Sequence, residues 1–299
     1  MSVLVELDGC TKVYRIGSFG SKRLTAVRDV AFGLDAGEVV SLIGESGSGK
    51  STIGRLILRL SPLTAGSIRF MGEDVSTFKG RSLREYHRHA QGVFQDPFSS
   101  YNPIYKADRV FKLIKDTYFP AVGAREWAHK VGDALDAVSL DPAQVLHRYP
   151  HQLSGGQLQR LLVARALLLD IDFLVADEII SMLDASTRID VLNLLGDLKA
   201  RGLGILFITH DLSLGNYISD RTVILRRGVI VEMGETEKVF GDPRHAYTRM
   251  LLAAVPQLRH KWSADGDGRT VAAALEGDGI GSALVEIERG HLVRLEEGA

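Results

Sequence analysis

Cysteine is almost absent from this chain, since Cys10 is the only thiol among its 299 residues. A single cysteine excludes an internal disulfide and any iron–sulfur or other metal site that needs several thiolates from one chain. A lone thiol also fits a reducing compartment. The stability of the fold is therefore expected to come from a packed core, for which the chain is long enough.

Long apolar runs and an excess of charge are missing as well. No apolar run approaches the roughly 18 residues of a membrane-spanning helix. The net charge of −1 offers no electrostatic attraction for nucleic acid. Residues 1–8 alternate in polarity and lack a basic segment, so we expect no signal peptide. These features predict a protein that is cytoplasmic or that sits on a membrane through a partner.

A strand followed by a glycine-rich turn is the strongest motif that the sequence contains. Residues 39–43 form a short apolar run typical of a buried strand, and the P-loop pattern Gly-x-x-x-x-Gly-Lys-Ser follows at 44–51. Three glycines let backbone N–H groups turn toward phosphate oxygens: Gly44, Gly47 and Gly49. Lys50 supplies positive charge for the β- and γ-phosphates, and the Ser51 hydroxyl can bind Mg²⁺. The pattern predicts a nucleotide site.

A second apolar strand, at residues 173–176, ends in two carboxylates. Asp177 can hold Mg²⁺ directly or through water, and Glu178 can take a proton from the water that attacks the γ-phosphate. Two acids after a strand are also common in a solvated turn. Their occurrence together with a P-loop favours the functional interpretation.

The segment Leu-Ser-Gly-Gly-Gln at 153–157 is a second candidate phosphate-binding device. Ser154 is a good N-cap for the apolar helix that follows, and the glycines expose N–H groups beside the positive helix end. As a bare capping motif it would be unremarkable, but the full five-residue form is far more specific.

Three single residues are further candidates. Tyr14, in the predicted early loop, is either an aromatic on a sheet edge or a flat face for adenine. Gln95 could sense Mg²⁺ or the attacking water, and His210 could donate a hydrogen bond to a γ-phosphate. Taken alone, Gln95 and His210 are more often ordinary surface residues.

The order of strand and helix patterns indicates an α/β fold. The short apolar runs at 39–43, 173–176 and 205–209 are typical of a parallel sheet covered on both faces. The other predicted elements are strands at 3–8, 24–34 and 67–71, helices within 95–166 and at 189–199, a hairpin at 222–231, a helical stretch to about 258, a linker at 263–283 and a hairpin at 284–295 that turns at Arg289-Gly290.

In this order the motifs resemble those of the ATP-binding cassette (ABC) family, the ATPase subunits of ABC transporters. The matching elements are Walker A (44–52), the Q-loop (Gln95), the signature motif (153–157), Walker B (173–178), the D-loop (181–184), the switch histidine (His210) and the adenine-stacking aromatic (Tyr14). The resemblance implies a P-loop NTPase (RecA-like) α/β core with an N-terminal antiparallel β subdomain and an inserted helical signature subdomain. It implies an ATPase domain at 1–235, with the helical subdomain at about 96–165. A helical extension at 236–262 and a flexible linker with a small hairpin at 263–299 would follow.

ATP and Mg²⁺ are the ligands that the resemblance implies. The implied ATP-binding residues are Tyr14, Gly44, Ser46, Gly47, Gly49, Lys50, Ser51, Thr52, Ser154, Gly155, Gly156, Gln157 and Asp184. The implied metal ligands are Ser51, Gln95 and Asp177, and the implied catalytic residues are Glu178, His210 and Gln95. The implied partners are two transmembrane permease subunits, a second identical or homologous ATPase subunit and, indirectly, an extracytoplasmic solute-binding protein, with no nucleic acid. The expected location is peripheral, at the cytoplasmic face of the cell membrane.

A narrower resemblance points to the oligopeptide/dipeptide/nickel importer branch, through residues 95–103, 245–256 and 288–293. The cysteine cluster frequent in that branch is missing, so we expect no iron–sulfur cluster. Ile179 replaces the usual proline, and Met182 in the D-loop also resembles members that serve oligosaccharide uptake, which keeps sugars open as cargo. The proline-bounded loop at 98–103, with Phe98 and Tyr101, is hypothesised to face the membrane subunits.

Three other classes of ATP-binding cassette protein are alternatives to an importer ATPase. A soluble mechanical ATPase should carry a long coiled-coil insertion, whereas residues 95–166 show no sustained heptads. A translation-factor relative should carry two cassettes, and the sequence shows one. A non-hydrolysing regulatory subunit is disfavoured by the presence of both Glu178 and His210. The soluble mechanical ATPase remains the alternative.

Overall fold

The computed structural model describes residues 3–16, 21–181, 183–254 and 283–295. The strands in these ranges are β1 (Val3–Ile16), β2 (Lys22–Asp35), β3 (Val39–Ile43), β4 (Ala65–Phe70), β5 (Glu73–Asp74), β6 (Ala90–Val93), β7 (Phe173–Asp177), β8 (Gly204–Thr209), β9 (Arg221–Arg226), β10 (Val229–Glu235), β11 (Leu284–Glu288) and β12 (His291–Arg294). The helices are α1 (Lys50–Ile57), α2 (Arg81–His89), α3 (Arg109–Tyr118), α4 (Ala124–Ala137), α5 (Pro142–Val145), α6 (Gly155–Leu167), α7 (Ala185–Ala200), α8 (Leu212–Ile218), α9 (Thr236–Gly241) and α10 (Ala246–Ala253).

An eight-stranded sheet, the central sheet, has the strand order β11-β12-β10-β9-β3-β8-β7-β6. The strands from β9 to β6 run parallel, and every residue of β3, β7 and β8 is buried. Continuous apolar runs are required there because helices cover both faces of a parallel sheet. Ile43 pairs with Thr209 and Asp177 with Ile208, so the carboxyl ends of β3, β7 and β8 meet at one edge.

A four-stranded antiparallel sheet, the N-terminal sheet, has the order β2-β1-β4-β5. Its apolar face shares one core with α1 and with one face of the central sheet, through residues such as Val27, Ile53 and Val40. The predicted antiparallel subdomain is thereby confirmed. The prediction that Tyr14 lies in a loop was wrong, because β1 continues to Ile16 and pairs Tyr14 with Leu24.

The largest core joins helices α3, α4, α6 and α7 to the opposite face of the central sheet. Phe111, Ile114 and Leu135 are buried in it, and each belongs to a run whose apolar residues recur at the three- and four-residue spacing of a helix. Two helices were not predicted. Helix α2 buries only Tyr86, so its sequence shows no apolar stripe of helical spacing. Helix α8 has 7 residues, too few to show such a stripe.

The C-terminal hairpin extends the central sheet: β12 pairs with β10 through Glu232–Val293 and Met233–Leu292. The chain reverses at Arg289-Gly290 as predicted, with Gly290 at φ 75°. The linker expected at 263–283 lies almost wholly outside the described residues, as does the end of the helical stretch beyond 254. Within the described ranges, no helix combines the length and apolarity that crossing a bilayer requires.

Candidate nucleotide-binding site

A cleft of about 560 Å³ opens at the carboxyl edge of the central sheet, beside the P-loop. Its lining residues are Tyr14, Leu24, Thr25, Ala26, Ser46, Gly47, Gly49, Lys50, Ser51, Thr52, Gln95, Glu178 and Arg227. The predicted P-loop, Q-loop and Walker B positions therefore meet in one place, because β3, β6 and β7 deliver them to the same edge.

Two glycines of the P-loop are required by the close approach of neighbouring backbone. A Cβ at Gly44 would lie 2.1 Å from the carbonyl oxygen of Leu225. One at Gly49, where φ is 107°, would lie 2.5 Å from the carbonyl oxygen of Ala26. Any side chain there would displace the loop from β2 and β9.

Lys50 is folded into the loop that precedes it. Its Nζ donates to the carbonyl oxygens of Gly44 at 2.7 Å and Glu45 at 2.8 Å. Burial lowers the pKa of Lys50, and the carboxylates of Glu178 and Asp177 partly oppose that shift. An ammonium group has three donors, so two of them orient Lys50 while its charge stays in the cleft.

Ser51 and Asp177 form the candidate magnesium site. The Ser51 hydroxyl donates to Asp177 Oδ1 at 3.1 Å, and burial raises the pKa of the Asp177 carboxyl. A hydroxyl and a carboxylate are the hard oxygen ligands that Mg²⁺ prefers, and a divalent cation would offset the cost of burying the carboxylate. The residues therefore fit Mg²⁺, and Gln95 lines the same cleft.

Glu178 and His210 are brought together at the end of β7 and β8. Glu178 adopts φ 50°, a conformation that costs a non-glycine residue about 1–3 kcal/mol. Its N–H donates to the carbonyl oxygen of Ile208 at 2.9 Å, and Ser181 Oγ donates to its carbonyl oxygen at 2.9 Å. His210 Nδ1 lies 3.3 Å from Glu178 Oε1. The backbone thus holds a carboxylate on the cleft wall beside an imidazole.

Tyr14 also lines the cleft. It is half-buried in β1, and Lys12 Nζ lies 4.8 Å from the centre of its ring. An ammonium over an aromatic face is favourable, so Lys12 helps to fix the ring. The position is compatible with stacking on a base.

The signature motif does not line the cleft. Ser154 Oγ accepts from the N–H of Gln157 at 3.1 Å, and Gln157 Oε1 accepts from the N–H of Ser154 at 2.9 Å. This reciprocal pair starts α6. A Cβ at Gly156 would lie 2.8 Å from Thr187 Cγ2, whereas one at Gly155 would meet no atom within 4 Å. Gly155 is therefore accessible for an external ligand, and Gly156 is needed for packing against α7.

Asp184 is also absent from the cleft wall. Its carboxylate caps α7, accepting from the N–H of Thr187 at 2.9 Å and from Ser186 Oγ at 2.7 Å. These hydrogen bonds lower the pKa of Asp184 to about 2. Within one chain, Asp184 and Ser154 are exposed at the starts of their helices, and neither Asp184 nor the signature motif lines the P-loop cleft.

Several contributors to the site were missed from the sequence. Arg227 lines the cleft from the turn between β9 and β10, and residues 24–26 line it from β2. The N–H of Gly228 in the same turn donates to the P-loop carbonyl of Ser48 at 2.8 Å. Only the pairing of β9 with β3 brings this turn to the cleft, and no local sequence signal reports that pairing.

Comparison with known proteins agrees with this geometry. Residues 27–181 match the family model described as ABC transporter. The chain belongs to the ABC transporter family. Residues 231–279 match a second model, the C-terminal region of oligopeptide/dipeptide transporters.

This ABC protein is similar to two curated relatives and to one solved structure. Oligopeptide transport ATP-binding protein OppF of Streptococcus mutans is 40% identical over 295 residues, which are 98% of this chain and 95% of that protein. AmiF of Streptococcus pneumoniae is 45% identical over 246 residues, 79% of this chain and 77% of that protein. A dimeric, post-hydrolysis ATP-binding cassette bound to ADP and Pi matches with a TM-score of 0.70 and 28% identity, over 78% of this chain and 98% of that chain. The predicted fold, ABC resemblance and ATPase class are confirmed.

Proposed function

We propose that this ABC ATPase powers the import of oligopeptides or dipeptides from a peripheral position at the cytoplasmic face of a cell membrane. The observation that carries the choice of cargo is the match of residues 231–279 to the C-terminal region of oligopeptide/dipeptide transporters. Relatives named for peptide import and oligopeptide transport support the same cargo class.

In this proposal the P-loop side of the cleft binds ATP. Backbone N–H groups of the loop and the positive end of α1 receive the phosphates, and Lys50 adds its charge. Tyr14 stacks on the adenine. Mg²⁺, held by Ser51 and Asp177, would neutralise charge on the phosphate oxygens.

Glu178 is the proposed general base for hydrolysis. Its carboxylate takes a proton from the water that attacks the γ-phosphate, while Gln95 orients that water. His210 Nδ1 lies 3.3 Å from Glu178 Oε1, and its Nε2 is the proposed donor to the γ-phosphate. The strained backbone of Glu178 sets the direction of the carboxylate before ATP arrives.

A second ATPase subunit, identical or homologous, completes the proposed site. Ser154 is exposed and open space lies beside Gly155, so the positive end of α6 suits a phosphate supplied from outside the chain. ATP held between the P-loop of one subunit and the signature motif of another would then draw the two subunits together. Two transmembrane permease subunits would convert that closure into transport, with cargo delivered by an extracytoplasmic solute-binding protein.

The cargo proposal is tested by uptake into proteoliposomes that contain the complex that co-purifies with this chain. We expect ATP-dependent accumulation of a radiolabelled tetrapeptide and no accumulation of a labelled trisaccharide. Accumulation of the trisaccharide without the peptide would overturn the peptide assignment while leaving the ATPase assignment intact.

The loop at 98–103 is the proposed contact with the permeases, with one correction. Phe98 is 48% exposed and Ile104 is 75% exposed. Tyr101, expected on the same face, instead packs against the largest core, and its hydroxyl is buried. A charge at Tyr101 would therefore damage the fold, so the test uses Phe98 and Ile104, the residue directly after the loop.

Replacing both residues, Phe98→Glu and Ile104→Glu, should lower transport-coupled ATP hydrolysis by about tenfold or more, because a charge is placed in an apolar contact. ATP binding by the isolated chain should not change. Val285→Glu is the matched control, since Val285 is 41% exposed on β11, at the opposite sheet edge from β6. Normal transport by the double variant would refute the contact.

A further inference from the structure

The first residue after Gly44 in the P-loop is held by a side chain from the C-terminal part of the chain. The N–H of Glu45 donates to the hydroxyl oxygen of Tyr247 at 3.1 Å. Tyr247 is 1% exposed and shares a core with Ile43 and Val239. The ring is therefore locked in place, and its hydroxyl reaches the loop from the side of α10.

A buried polar network fixes the start of α10, where Tyr247 is located. The carboxylate of Glu232, on β10, accepts from the N–H groups of Arg244 at 2.8 Å and His245 at 3.0 Å. It also lies 2.8 Å from Nε2 of His291 on β12. His245 Nδ1 in turn accepts from the N–H of Tyr247 at 3.0 Å. The C-terminal hairpin thus takes part in holding the helix that reaches the P-loop.

The same P-loop residue is held at its carbonyl group. Lys50 Nζ lies 2.8 Å from the carbonyl oxygen of Glu45, and the N–H of Ser48 donates to that oxygen at 3.1 Å. With Tyr247 on its N–H, Glu45 is anchored on both sides. Rotation of the loop at this residue would break the contacts that orient Lys50.

We propose that Tyr247 is a positioning residue for ATP binding, whose hydroxyl holds Glu45 so that Lys50 and the following N–H groups are preorganised for the phosphates. The inference rests on the phosphate-binding role proposed for the P-loop. Preorganisation of this kind lowers the free-energy cost of binding, because the loop need not be ordered by the ligand.

The test is Tyr247→Phe, which removes the hydroxyl and keeps the ring. The dissociation constant of the full-length chain for Mg²⁺-ATP should rise between about twofold and tenfold, as expected for the loss of one neutral hydrogen bond. KM should rise more than kcat falls. The loss should be equal for ATP and GTP, because the affected contacts are to phosphate and not to the base.

Tyr86→Phe is the matched control. Tyr86 is 3% exposed, and its hydroxyl donates to the carbonyl oxygen of Ile57 at 2.5 Å without lining the cleft. It should lower the melting temperature as much as Tyr247→Phe does and leave nucleotide affinity unchanged.

Lys50→Ala, measured in parallel, distinguishes a failure of the positioning role of Tyr247 from a failure of the phosphate-binding role of the P-loop. If Lys50→Ala loses ATP affinity and Tyr247→Phe does not, the positioning role is wrong and the P-loop role stands. If Lys50→Ala keeps its ATP affinity, the P-loop role itself fails. Equal affinity losses in Tyr247→Phe and Tyr86→Phe would assign the effect to general destabilisation and overturn the inference.

Discussion

Glu178→Gln should lower the kcat of ATP hydrolysis by about 10²- to 10⁴-fold, the usual contribution of a general base. Glutamine keeps the size of the side chain, but its amide does not accept a proton at neutral pH as a carboxylate does. Asp177 and Lys50 are untouched, so affinity for Mg²⁺-ATP should stay close to that of the unmutated chain. Phosphate release and equilibrium nucleotide binding measure the two quantities separately.

The control for this variant is Glu237→Gln, the same chemical change at an exposed position on α9. It should hydrolyse ATP at the unmutated rate. An unmutated rate in Glu178→Gln would remove Glu178 from the mechanism. A loss of ATP binding in that variant would instead assign the residue to the binding site.

Lys50→Ala should weaken ATP binding by about tenfold to more than a hundredfold. Charge-assisted hydrogen bonds contribute about 1.5–3 kcal/mol each, and each 1.4 kcal/mol is a factor of ten in affinity. Lys50 Nζ also joins the carbonyl oxygens of Gly44 and Glu45, so its removal loosens the loop as well. Calorimetric titration with Mg²⁺-ATP measures the effect.

Lys79→Ala removes an equally charged but exposed ammonium, so it separates the local contact from the change in net charge. We expect its ATP affinity to be unchanged. Unchanged affinity in Lys50→Ala, with a normal melting curve, would contradict the assignment of the P-loop as the phosphate site.

The parts of the site that are encoded locally could be predicted from the sequence. Every residue of β3 and β7 is buried because both faces of the central sheet are covered, and β3 leads into the glycine-rich loop while β7 ends in Asp177. Glycine, lysine and carboxylate positions follow these strands directly, so Lys50, Ser51, Asp177 and Glu178 could be predicted without knowledge of the fold.

Residues that reach the cleft through long-range pairing could not be predicted in that way. Arg227 depends on β9 lying beside β3, and Tyr247 depends on α10 packing near the P-loop. Tyr14 lines the cleft, as expected of a residue that contacts adenine, but it lies in β1 and not in a loop. The strand was predicted too short because its alternation becomes irregular where the pairing with β2 shifts register. Helix α2 was missed because it buries one residue, Tyr86.

The Ser154 region could be predicted in part from the sequence. The capping box at 154–157 could be predicted as a helix start, and the structure contains both of its hydrogen bonds. Its exposure away from the P-loop cleft could not be predicted from residues alone, because it depends on where α6 lies relative to the central sheet. That exposure is the physical reason for proposing a second subunit.

Light scattering of Glu178→Gln with Mg²⁺-ATP, alone and mixed with any ATPase subunit that co-purifies with it, tests the shared ATP site most directly. We expect a dimer that forms only with ATP and persists because hydrolysis is slow. Adding Ser154→Arg to the same chain should abolish the dimer, since arginine fills the space meant for the γ-phosphate. A Glu178→Gln chain that binds ATP without hydrolysing it, and that stays monomeric both alone and with the co-purifying subunit, would contradict the proposal that ATP is held between two subunits.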